Sequence, residues 1–543
     1  PVYDKIAALK LAARDSAGAH AAFHNAIARF QNDRAGRPLL LPLAFEQARL
    51  YVAEKQPENA VASLRAFKVE LEAQRDGTLF YAGLLQSLND RPALIDFIAD
   101  ALRRGASAVL AHPGAQVSLP GVAFIADENP RRRLAFLAAR FFGLQPQVLV
   151  AVTGTNGKTS VADFTRQIWQ ALGQAAGSLG TLGAIGPGIV AAQDRTTPDP
   201  VALHRSLAQF AQAGVQHVAL EASSHGLMQH RLDAVNLAAA AFTNLGRDHM
   251  DYHPTAEAYL AAKLRLFEQV LPEGGLAVAD GGAEVLPAIA AACRARRQRL
   301  LTYGPKGREL KLIDLAASTH GQRLRVASFG REQTVDLPLA GSFQALNALC
   351  AVGLVAAAAP EAERADAAAA ALAALSRLEG VPGRMQRVAL HPDGAPVYVD
   401  YAHTPDALKS VLEALRPHAS GRLVVVFGCG GDRDRGKRPL MGRLAAALAD
   451  RVIVTDDNPR HEEPATIRRA ILEASPGARE IGDRAAAIAA AIADLAPGDL
   501  LVIAGKGHEQ GQIVGDLVRP FDDAAVARSA VAALGGTALS GAA

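Results

Sequence analysis

A glycine-rich turn between an apolar run and a helical segment is the part of this sequence that most directly suggests chemistry. The run Val148–Thr153 leads into Gly154 and Gly157, and Lys158 and Thr159 follow at once. Glycines let a backbone wrap closely around phosphate groups, and the N–H groups at a helix N-terminus add to the binding. Lys158 would neutralise the β- and γ-phosphates, and the Thr159 hydroxyl would reach Mg²⁺. The pattern therefore favours a nucleotide-binding loop over an ordinary glycine-rich turn.

The loop is shorter than the standard P-loop, because two residues rather than four separate its glycines. In this form GTNGKTS, over Gly154–Ser160, resembles the ATP loop of the Mur ligase superfamily. Several further motifs resemble the MurE type of this family, and the resemblance extends from about Gly77 to Asp523. The matching segments are Glu221–His225, Gln229–Arg231, Phe242–Leu245 and Asp248–His253.

The resemblance implies an ATP-dependent, ADP-forming ligase of peptidoglycan precursor synthesis. Such an enzyme activates the carboxylate of UDP-N-acetylmuramoyl-L-alanyl-D-glutamate as an acyl phosphate, which an amino acid then attacks. A carboxylate and a polyphosphate repel each other, so cations must bring them together. The resemblance thus makes ATP and Mg²⁺ the expected cofactors.

ATP is expected to contact the glycine-rich loop and three residues further along the chain. The resemblance places Asn347 at the adenine, Arg384 at the phosphates and Asp400 at the ribose. Phe343-Gln344 stands where the family has Phe-Asn. Arg384 and Asp400 follow a hinge expected at Pro382-Gly383, so domain closure would complete the site. The implied ATP-binding residues are Gly154, Thr155, Asn156, Gly157, Lys158, Thr159, Ser160, Asn347, Arg384 and Asp400.

Four residues are implied to carry the catalysis: Lys158, Glu221, His249 and Lys263. Glu221 and His249 each lie near the end of an apolar strand and suit Mg²⁺. Lys263 matches a family lysine that becomes carbamylated, which turns a cation into an anion able to hold a second Mg²⁺. The implied metal ligands are Thr159, Glu221, His249 and, if carbamylated, Lys263.

The UDP-muramoyl dipeptide is expected at a Thr-Thr-Pro turn and its companions. The turn alone would be only a turn, and the resemblance gives it this role. Arg231 can pair bidentately with a carboxylate or with the pyrophosphate. The implied residues are Thr196, Thr197, Ser223, Gln229 and Arg231.

The choice of amino acid is expected to rest on a DNPR motif at Asp457–Arg460. In the family this motif accompanies meso-diaminopimelate rather than lysine. A guanidinium binds the distal carboxylate of diaminopimelate bidentately, whereas lysine would leave Arg460 unpaired. Glu509 would take the distal ammonium, and Cys429 is expected to be a small packed residue. The implied pocket residues are Arg433, Asp457, Asn458, Arg460, Gly505 and Glu509.

The elements that must position these residues alternate between strands and helices, which predicts an α/β protein. Residues around 320–340 alternate apolar and polar and predict antiparallel strands. A helix is predicted at Pro130–Phe142. The predicted strands are Ala108–Leu110, Val122–Ile125, Val148–Thr153, Gln216–Leu220, Ala238–Thr243, Pro396–Asp400, Arg422–Phe427, Arg451–Thr455 and Asp499–Ala504.

Four domains are expected in the 543 residues. Residues 1–75 form a helical module that weakly resembles a tetratricopeptide hairpin, and residues 76–145 a partial Mur ligase N-terminal, UDP-binding domain. Residues 146–380 form a P-loop-type central domain with a parallel sheet, and residues 381–543 a Rossmann-like, amino-acid-binding domain. No Asp-Ser-Arg precedes Gly77–Phe80, where the family grips uridine, so uridine affinity is in question.

The composition describes a globular protein, with half of its residues hydrophobic and a fifth charged. The net charge of +3 gives no reason to expect nucleic acid or a membrane surface as partner. Three widely spaced cysteines argue against a disulfide framework and for the cytoplasm. The expected partners are therefore small-molecule substrates, with a protein partner open for residues 1–75.

Two other readings stay open at the level of sequence. In one, the ligase body is a non-catalytic or recycling-adapted scaffold whose helical N-terminus recruits a partner. In the other, a muropeptide ligase tolerates a substrate whose uridine is not firmly held. Folylpolyglutamate synthesis is disfavoured by the DNPR motif together with GKGHE at Gly505–Glu509.

Overall fold

The computed structural model describes residues 108–113, 123–193, 195–246, 252–318 and 321–539. The chain divides into two compact units, Pro1–Arg133 and Leu134–Ala543. The predicted helical module, most of the predicted UDP-binding domain and His249 lie outside the described residues.

The described part of the first unit begins with two short parallel strands, β1 (Ala108–Ala111) and β2 (Ala123–Ala126). Helix α1 (Pro130–Phe142) follows with the predicted bounds. Asp127 stabilises the N-terminal end of this helix. The Asp127 carboxylate accepts hydrogen bonds from the backbone N–H of Asn129 (2.8 Å) and from Arg133 Nε (2.6 Å).

The second unit contains an eleven-stranded sheet in the order β13-β12-β11-β10-β9-β8-β3-β7-β4-β5-β6. Its middle, from β10 to β4, is parallel, while β11–β13 and β4–β6 pair antiparallel at the two ends. The predicted parallel sheet is therefore confirmed for the centre only. The strands are β3 (Val148–Thr153), β4 (Ala176–Gly180), β5 (Gly183–Gly186), β6 (Ile189–Ala191), β7 (His217–Glu221), β8 (Leu237–Phe242), β9 (Leu276–Asp280), β10 (Arg299–Gly304), β11 (Leu310–Ser318), β12 (Gly321–Ser328) and β13 (Arg331–Leu337).

Helices cover both faces of this sheet, which explains why its central strands are apolar throughout. Val150 and Val152 of β3 point into one core with Phe164 of α2, while Leu149 points into the other core with Phe210 of α3. The helices are α2 (Lys158–Ala171), α3 (Pro200–Gln212), α4 (Ser224–Met228), α5 (Ala256–Arg265), α6 (Leu286–Ala295), α7 (Ser342–Ala358) and α8 (Arg364–Ala374), with a π-helical turn at Leu266–Val270.

A second, seven-stranded sheet follows in the order β18-β17-β16-β19-β15-β14-β22. Strands β18 to β15 are parallel, and a separate antiparallel hairpin, β20–β21, lies beside the end of this region. The strands are β14 (Gln386–Leu390), β15 (Pro396–Asp400), β16 (Leu423–Phe427), β17 (Arg451–Val454), β18 (Arg479–Glu480), β19 (Leu500–Ala504), β20 (Gly511–Val514), β21 (Leu517–Pro520) and β22 (Thr537–Ala538), and the helices are α9 (Pro405–Leu415), α10 (Lys437–Leu448), α11 (Pro464–Leu472), α12 (Arg484–Ala493) and α13 (Asp523–Ala533).

The predicted strands are confirmed, with each end within one residue of its expected position. The antiparallel strands expected around residues 320–340 are β12 and β13. In both sheets the parallel strands bring their carboxyl ends to one edge, where ligands bind in folds of this kind. Glu221, Asp400 and the segment after Ala504 all lie at such ends.

A buried histidine joins the two sheet regions. His418 follows α9, and its Nε2 accepts a hydrogen bond from the backbone N–H of Gly341 (3.0 Å), which precedes α7. Its Nδ1 lies 2.6 Å from the carbonyl oxygen of Ser318 at the end of β11, so it is the nitrogen that donates. The contact with Gly341 needs the neutral imidazole, because a protonated Nε2 cannot accept, and burial lowers the pKa of His418 although the Ser318 carbonyl opposes the shift.

The three cysteines are free and buried. Burial raises the pKa of Cys293 to about 11, that of Cys350 to about 12 and that of Cys429 to about 12. Cys429 packs with its sulfur 3.7 Å from that of Met441, as expected for a core residue. Among the described residues, the helices are too short or too polar to cross a bilayer.

Candidate active site

The glycine-rich loop joins β3 to α2 and is held by the segment that follows β8. The backbone N–H of Asn156 donates to Asn244 Oδ1 (3.0 Å), and Thr243 Oγ1 donates to the carbonyl of Asn156 (2.6 Å). Gly154 and Gly157 have φ values of 143° and 85°. A methyl group at position 154 would lie 1.9 Å from Thr243 Oγ1. Only glycine fits this close approach, so a side chain at position 154 would displace Thr243 or the loop.

Two lysines converge on one carbonyl oxygen of this loop. Lys158 Nζ donates to Gly154 O (2.9 Å) and to Thr155 O (2.7 Å). Lys263 Nζ comes from α5 and donates to the same Gly154 O (2.6 Å). Lys263 is buried, with its ammonium 4.3 Å from the centre of the Tyr259 ring. The two predicted catalytic lysines are thus brought together at the loop.

Glu221 ends β7, which pairs with β3, and so stands beside the start of α2. Its Oε2 accepts a hydrogen bond from Thr159 Oγ1 (3.0 Å), and its Oε1 accepts one from the backbone N–H of Thr181 (2.6 Å). Burial raises the pKa of Glu221, although the charge of Lys158, these two hydrogen bonds and the charge of Arg384 oppose the shift. Thr181 was not predicted, because it follows β4 outside any recognised motif.

Of the predicted metal ligands, the structure describes Thr159 and Glu221, which lie together, and Lys263, which as an amine donates to Gly154 O. A hydroxyl and a carboxylate are hard oxygen ligands of the kind Mg²⁺ prefers, and a buried carboxylate gains most from a cation. Within the described residues, no three histidine, cysteine or acidic side chains group as a metal site. The chemistry of this oxygen pair fits Mg²⁺ with ligands supplied by nucleotide phosphates and water.

The predicted muramoyl-dipeptide residues lie next to Glu221. Thr196 Oγ1 is 3.0 Å from Thr181 Oγ1, and Thr197 Oγ1 donates to the carbonyl of Glu221 (2.8 Å) while accepting from the backbone N–H of Ser223 (3.0 Å). This chain of hydrogen bonds ties the Thr-Thr-Pro turn to the end of β7.

Arg231 and Gln229 complete this group. The guanidinium of Arg231 donates through Nη1 to the carbonyl of Thr197 (2.5 Å) and through Nη2 to Gln229 Oε1 (2.6 Å). The structure thus brings all five predicted residues together. Arg265 at the end of α5 supports their loop, since Nη1 donates to the carbonyl of Leu227 (2.7 Å).

Asn347 lies against the phosphate loop, next to Gly157. A methyl group at position 157 would lie 2.4 Å from Asn347 Oδ1. Asn347 Nδ2 donates to Gln344 Oε1 (3.0 Å), and Gln344 Nε2 donates to the carbonyl of Arg384 (3.2 Å). The glutamine that replaces the family's asparagine therefore links Asn347 to the hinge segment.

Asp400 holds this hinge segment through backbone groups. Its Oδ2 accepts from the N–H of Met385 (2.7 Å) and its Oδ1 from that of Ala402 (2.8 Å). Burial raises the pKa of Asp400, while these N–H groups and the charge of Arg384 oppose the shift. In this conformation Asp400 positions the start of β14, and its predicted ribose contact stays a prediction.

A second group of predicted residues, called the amino-acid pocket below, comes together after β17 and β19. Asn458 Nδ2 donates to Glu509 Oε2 (2.9 Å), and a methyl group on Gly505 would lie 2.8 Å from Asp457 Oδ2. Burial raises the pKa of Glu509, but the hydrogen bond from Asn458 and the charge of Lys506 outweigh it, so the pKa lies below its ordinary value.

The two arginines of the pocket both approach Gly430. A methyl group there would lie 2.8 Å from Arg460 Nη1 and 3.9 Å from Arg433 Cγ. Arg460 also donates from Nη1 to the carbonyl of Gly431 (2.9 Å), and its backbone N–H donates to Ile513 O in the β20–β21 hairpin (3.0 Å). The pocket thus presents cations near Gly430 and an anion at Glu509.

Arg384 and Tyr401 lie between the two groups of residues. The guanidinium carbon of Arg384 is 4.7 Å from the centre of the Tyr401 ring. Burial and the nearby charge of Glu509 raise the pKa of Tyr401, and the charge of Arg384 acts on Glu221. The phosphate loop and the amino-acid pocket are therefore neighbours, which a reaction between groups bound at each requires. Tyr401 was not predicted as a site residue, although it follows Asp400 directly.

Two family models match this chain. The Mur ligase middle domain matches residues 152–355, and the Mur ligase glutamate ligase domain matches residues 383–507.

Curated relatives and solved structures extend the likeness over most of the chain. A UDP-N-acetylmuramoyl-L-alanyl-D-glutamate–2,6-diaminopimelate ligase of Bradyrhizobium diazoefficiens is 51% identical over 482 residues, covering 88% of this chain and 96% of the relative. The ligase of the same name from Caulobacter vibrioides is 53% identical over 436 residues, covering 79% and 88%. A solved structure of a ligase with this name is 34% identical, with a TM-score of 0.63 over 81% of this chain and 90% of that one. MurF ligase of Thermotoga maritima, solved with ADP, shares the fold at 20% identity and a TM-score of 0.52.

Proposed function

This chain belongs to the Mur ligase family, and we propose that it joins meso-diaminopimelate to the D-glutamate of UDP-N-acetylmuramoyl-L-alanyl-D-glutamate. It is an ATP-dependent ligase that forms ADP and phosphate and serves peptidoglycan precursor synthesis. The observation that carries the choice of substrate is the pocket of Arg460, Asn458 and Glu509, placed next to the phosphate loop by Arg384 and Tyr401.

In the first step the loop and its lysine act on ATP. Lys158 would leave the loop carbonyls and pair with the β- and γ-phosphates, where its charge balances the charge of the transferring group. Arg384 would contribute a second cation from the hinge. A carboxylate oxygen of D-glutamate then forms a bond to the γ-phosphorus as the bond to ADP breaks.

Thr159 and Glu221 would hold Mg²⁺ at this loop, with His249 as the third predicted ligand. The ion supplies positive charge that lets the nucleotide and the acceptor carboxylate approach each other. Thr181 and Gly180 keep Glu221 in place, since the Thr181 N–H binds Oε1 and a methyl group at position 180 would lie 2.1 Å from that oxygen.

We also propose that Lys263 is carbamylated in the active enzyme. As an ammonium it donates to the same carbonyl as Lys158, so two cations lie at one loop atom. After the ammonium loses a proton, its nitrogen would form a bond to the carbon of CO₂ and release a second proton. The resulting carbamate anion would attract Lys158 instead of repelling it and would supply an oxygen ligand for a second Mg²⁺. The modification adds 44 Da, roughly the mass of CO₂.

In the second step an amino group of the amino acid attacks the acyl phosphate. Its nitrogen forms a bond to the acyl carbon, the bond from that carbon to the phosphate oxygen breaks, and a proton leaves the nitrogen. Arg460 and Asn458 would hold the distal carboxylate and Glu509 the distal ammonium, which leaves the near amine directed toward the phosphate loop.

The scaffold alternative is not favoured, since curated relatives at about this similarity are ligases and Lys158, Glu221, Lys263 and Arg460 are all present. We propose the cytoplasm as its location, because its three cysteines are unpaired, as is usual in a reducing compartment. The role of residues 1–75 as a docking module for a protein partner stays a proposal.

The test is phosphate release measured with every combination of the substrates. We expect release only when ATP, Mg²⁺, the UDP-muramoyl dipeptide and meso-diaminopimelate are present together, with a product mass equal to the condensed peptide. Lys158→Ala should abolish it, while Lys409→Ala, an exposed lysine of α9, should not change it. Equal turnover with lysine in place of diaminopimelate would contradict the substrate choice, and full activity of Lys158→Ala would contradict the phosphate-loop assignment.

A further inference from the structure

Lys506 is a fully buried lysine inside the amino-acid pocket. It follows Gly505 at the end of β19, and its side chain has no exposed surface. Its Nζ donates to Asn458 Oδ1 (2.9 Å) and to Glu509 Oε2 (3.1 Å), and it lies 3.9 Å from Asp457 Oδ1. A buried ammonium is costly unless it is paired and hydrogen-bonded, so this lysine depends on the pocket residues for its place.

Lys506 determines which way the Asn458 amide faces. A lysine ammonium has donors only, so the amide atom that faces it must be the oxygen. The backbone N–H of Ile513 donates to that same Oδ1 (3.0 Å). Both acceptor positions of the amide oxygen are therefore used inside the protein, and the Nδ2 group faces Glu509 and the pocket. Asn458 can only donate to a ligand.

Lys506 also determines how Glu509 is presented. Glu509 Oε2 accepts from both Lys506 and Asn458, which leaves Oε1 as the oxygen available to an ammonium. The side chain of Glu509 is 34% exposed, so it can reach a ligand while its inner oxygen stays bound. With Oε2 held in this way, the Oε1 atom of Glu509 has a defined position from which it can accept a hydrogen bond from a ligand.

We propose that Lys506 is a positioning residue that sets the polarity of the amino-acid pocket, making Asn458 a donor and Glu509 an acceptor for the two charged groups at the far end of the amino acid. This inference rests on the proposed function, since it concerns the same pocket. It predicts that the group beside Asn458 and Arg460 is an acceptor such as a carboxylate, and that an amino acid ending in an ammonium alone is disfavoured there.

The first variant is Lys506→Met, which keeps the length of the chain and removes the charge and the donors. The amide of Asn458 is then held only by the Ile513 N–H, and Glu509 loses its inner cation. We expect the KM for meso-diaminopimelate to rise about 10- to 100-fold, as for the loss of charged hydrogen bonds. The KM values for ATP and for the UDP-muramoyl dipeptide should change less than about twofold, and the preference for diaminopimelate over lysine should fall.

The matched control is Lys409→Met, which changes a 53% exposed lysine of the same region. It should leave all three KM values and the melting temperature unchanged. A general loss of packing in Lys506→Met would lower kcat and the affinities for all substrates together, which separates a structural role from the proposed one.

A second variant tests the polarity without removing the lysine. Asn458→Asp keeps an acceptor for Lys506 and for the Ile513 N–H, but it places a carboxylate oxygen where the amide donated to Glu509 Oε2 (2.9 Å), so the melting temperature is measured for this variant as well. It replaces the donor facing the ligand by an acceptor, and we expect the KM for diaminopimelate alone to rise by a similar factor.

Four outcomes are decisive. Selective rises in the KM for diaminopimelate in the variants that fold support the inference. If the KM for diaminopimelate is unchanged in Lys506→Met or in Asn458→Asp, the inference about Lys506 is overturned. The proposed function is still upheld in that case if the wild-type enzyme is active. Parallel losses for all substrates also overturn the inference about Lys506. No product from the wild-type enzyme with any amino acid overturns the proposed function and this inference with it.

Discussion

At the scale of single residues, the site depends on ionisable side chains that are buried rather than exposed to solvent. Glu221 is a carboxylate that burial pushes toward the neutral form, yet a lysine, an arginine and two donors surround it. Lys263 and Lys506 are lysines without solvent. Side chains of these types are rarely buried without a partner or a role. Each is buried next to a proposed ligand position, as expected of an enzyme that binds charged substrates.

The arginine of DNPR gives the sharpest residue-scale prediction. We expect Arg460→Ala to raise the KM for meso-diaminopimelate at least about 30-fold, because loss of a buried partner of a carboxylate costs at least about 2 kcal/mol. The KM for ATP should stay the same. Steady-state kinetics with each substrate varied in turn is the measurement.

The control is Arg443→Ala, which removes an exposed arginine of α10. It should behave as the wild type. A KM for diaminopimelate that is the same in Arg460→Ala and Arg443→Ala would show that Arg460 does not contact the amino acid.

At the scale of elements, two neighbouring side chains leave room only for backbone at the glycines of the phosphate loop. Thr243 fills the space beside Gly154, Asn347 fills the space beside Gly157, and both come from elements far along the chain. The sequence identifies the glycines, since a loop of this type needs them, but it contains no signal for the side chains that press against them. Contacts of this kind depend on how β8 and α7 pack on the sheet.

A methyl group at position 157 should therefore harm ATP binding and not only stability. Gly157→Ala places Cβ 2.4 Å from Asn347 Oδ1, so the asparagine or the loop must move. A shift of about 1 Å at a catalytic loop costs on the order of 100-fold in rate, and we expect a fall of that order in kcat/KM for ATP.

Gly173→Ala separates this contact from backbone strain. Gly173 has a φ of 79°, close to that of Gly157, but a methyl group there would meet nothing within 4 Å. Both variants should lose about 1 kcal/mol of stability from the left-handed conformation, measured by thermal unfolding. If Gly173→Ala lost ATP activity to the same extent, strain rather than the Asn347 contact would be the cause.

At the scale of the whole molecule, the α/β class and most strands that carry site residues could be expected from the sequence, whereas the order of strands in each sheet, the strands β4–β6, β9 and β10, and the links between segments could not. Apolar runs and family motifs predict β3, β7, β8 and the last parallel strands almost to the residue. Gln344 and His418 lie in no predicted site, yet they connect the parts that carry Asn347 and the hinge. Such links depend on three-dimensional packing between segments that are far apart in sequence, which periodicity does not encode.

The connection at His418 predicts a pH dependence of stability. Burial lowers the pKa of His418 in the folded protein below the 6.5 of an ordinary histidine. As the pH falls below about 6.5 the unfolded chain takes up a proton that the folded chain does not, so folding is weakened by at most about 1.4 kcal/mol per pH unit. The stabilisation that the neutral His418 gives to the folded protein is therefore fully present above about pH 6.5 and declines as the pH falls. His418→Gln should make the melting temperature fall less steeply between pH 7.5 and pH 5.5, roughly the range in which this group titrates.

His461 provides a control of opposite sign. Hydrogen bonds from its ring to Asp516 and Asp432 raise the pKa of His461, so its contribution is present at low pH and is lost as the pH rises through the folded value. His461→Gln should therefore make the melting temperature fall more steeply as the pH is lowered. Equal slopes in all three proteins would show that His418 is not neutral in the folded state.

The burial of the three cysteines has a practical consequence for following this enzyme at work. With pKa values raised to about 11 or 12, none of these thiols presents a thiolate to a maleimide dye at neutral pH. A pair of cysteines introduced on exposed positions, one beside each sheet, would accept fluorophores without background labelling. Energy transfer between the two dyes would then test the predicted domain closure, by showing whether one sheet region moves relative to the other during the catalytic cycle.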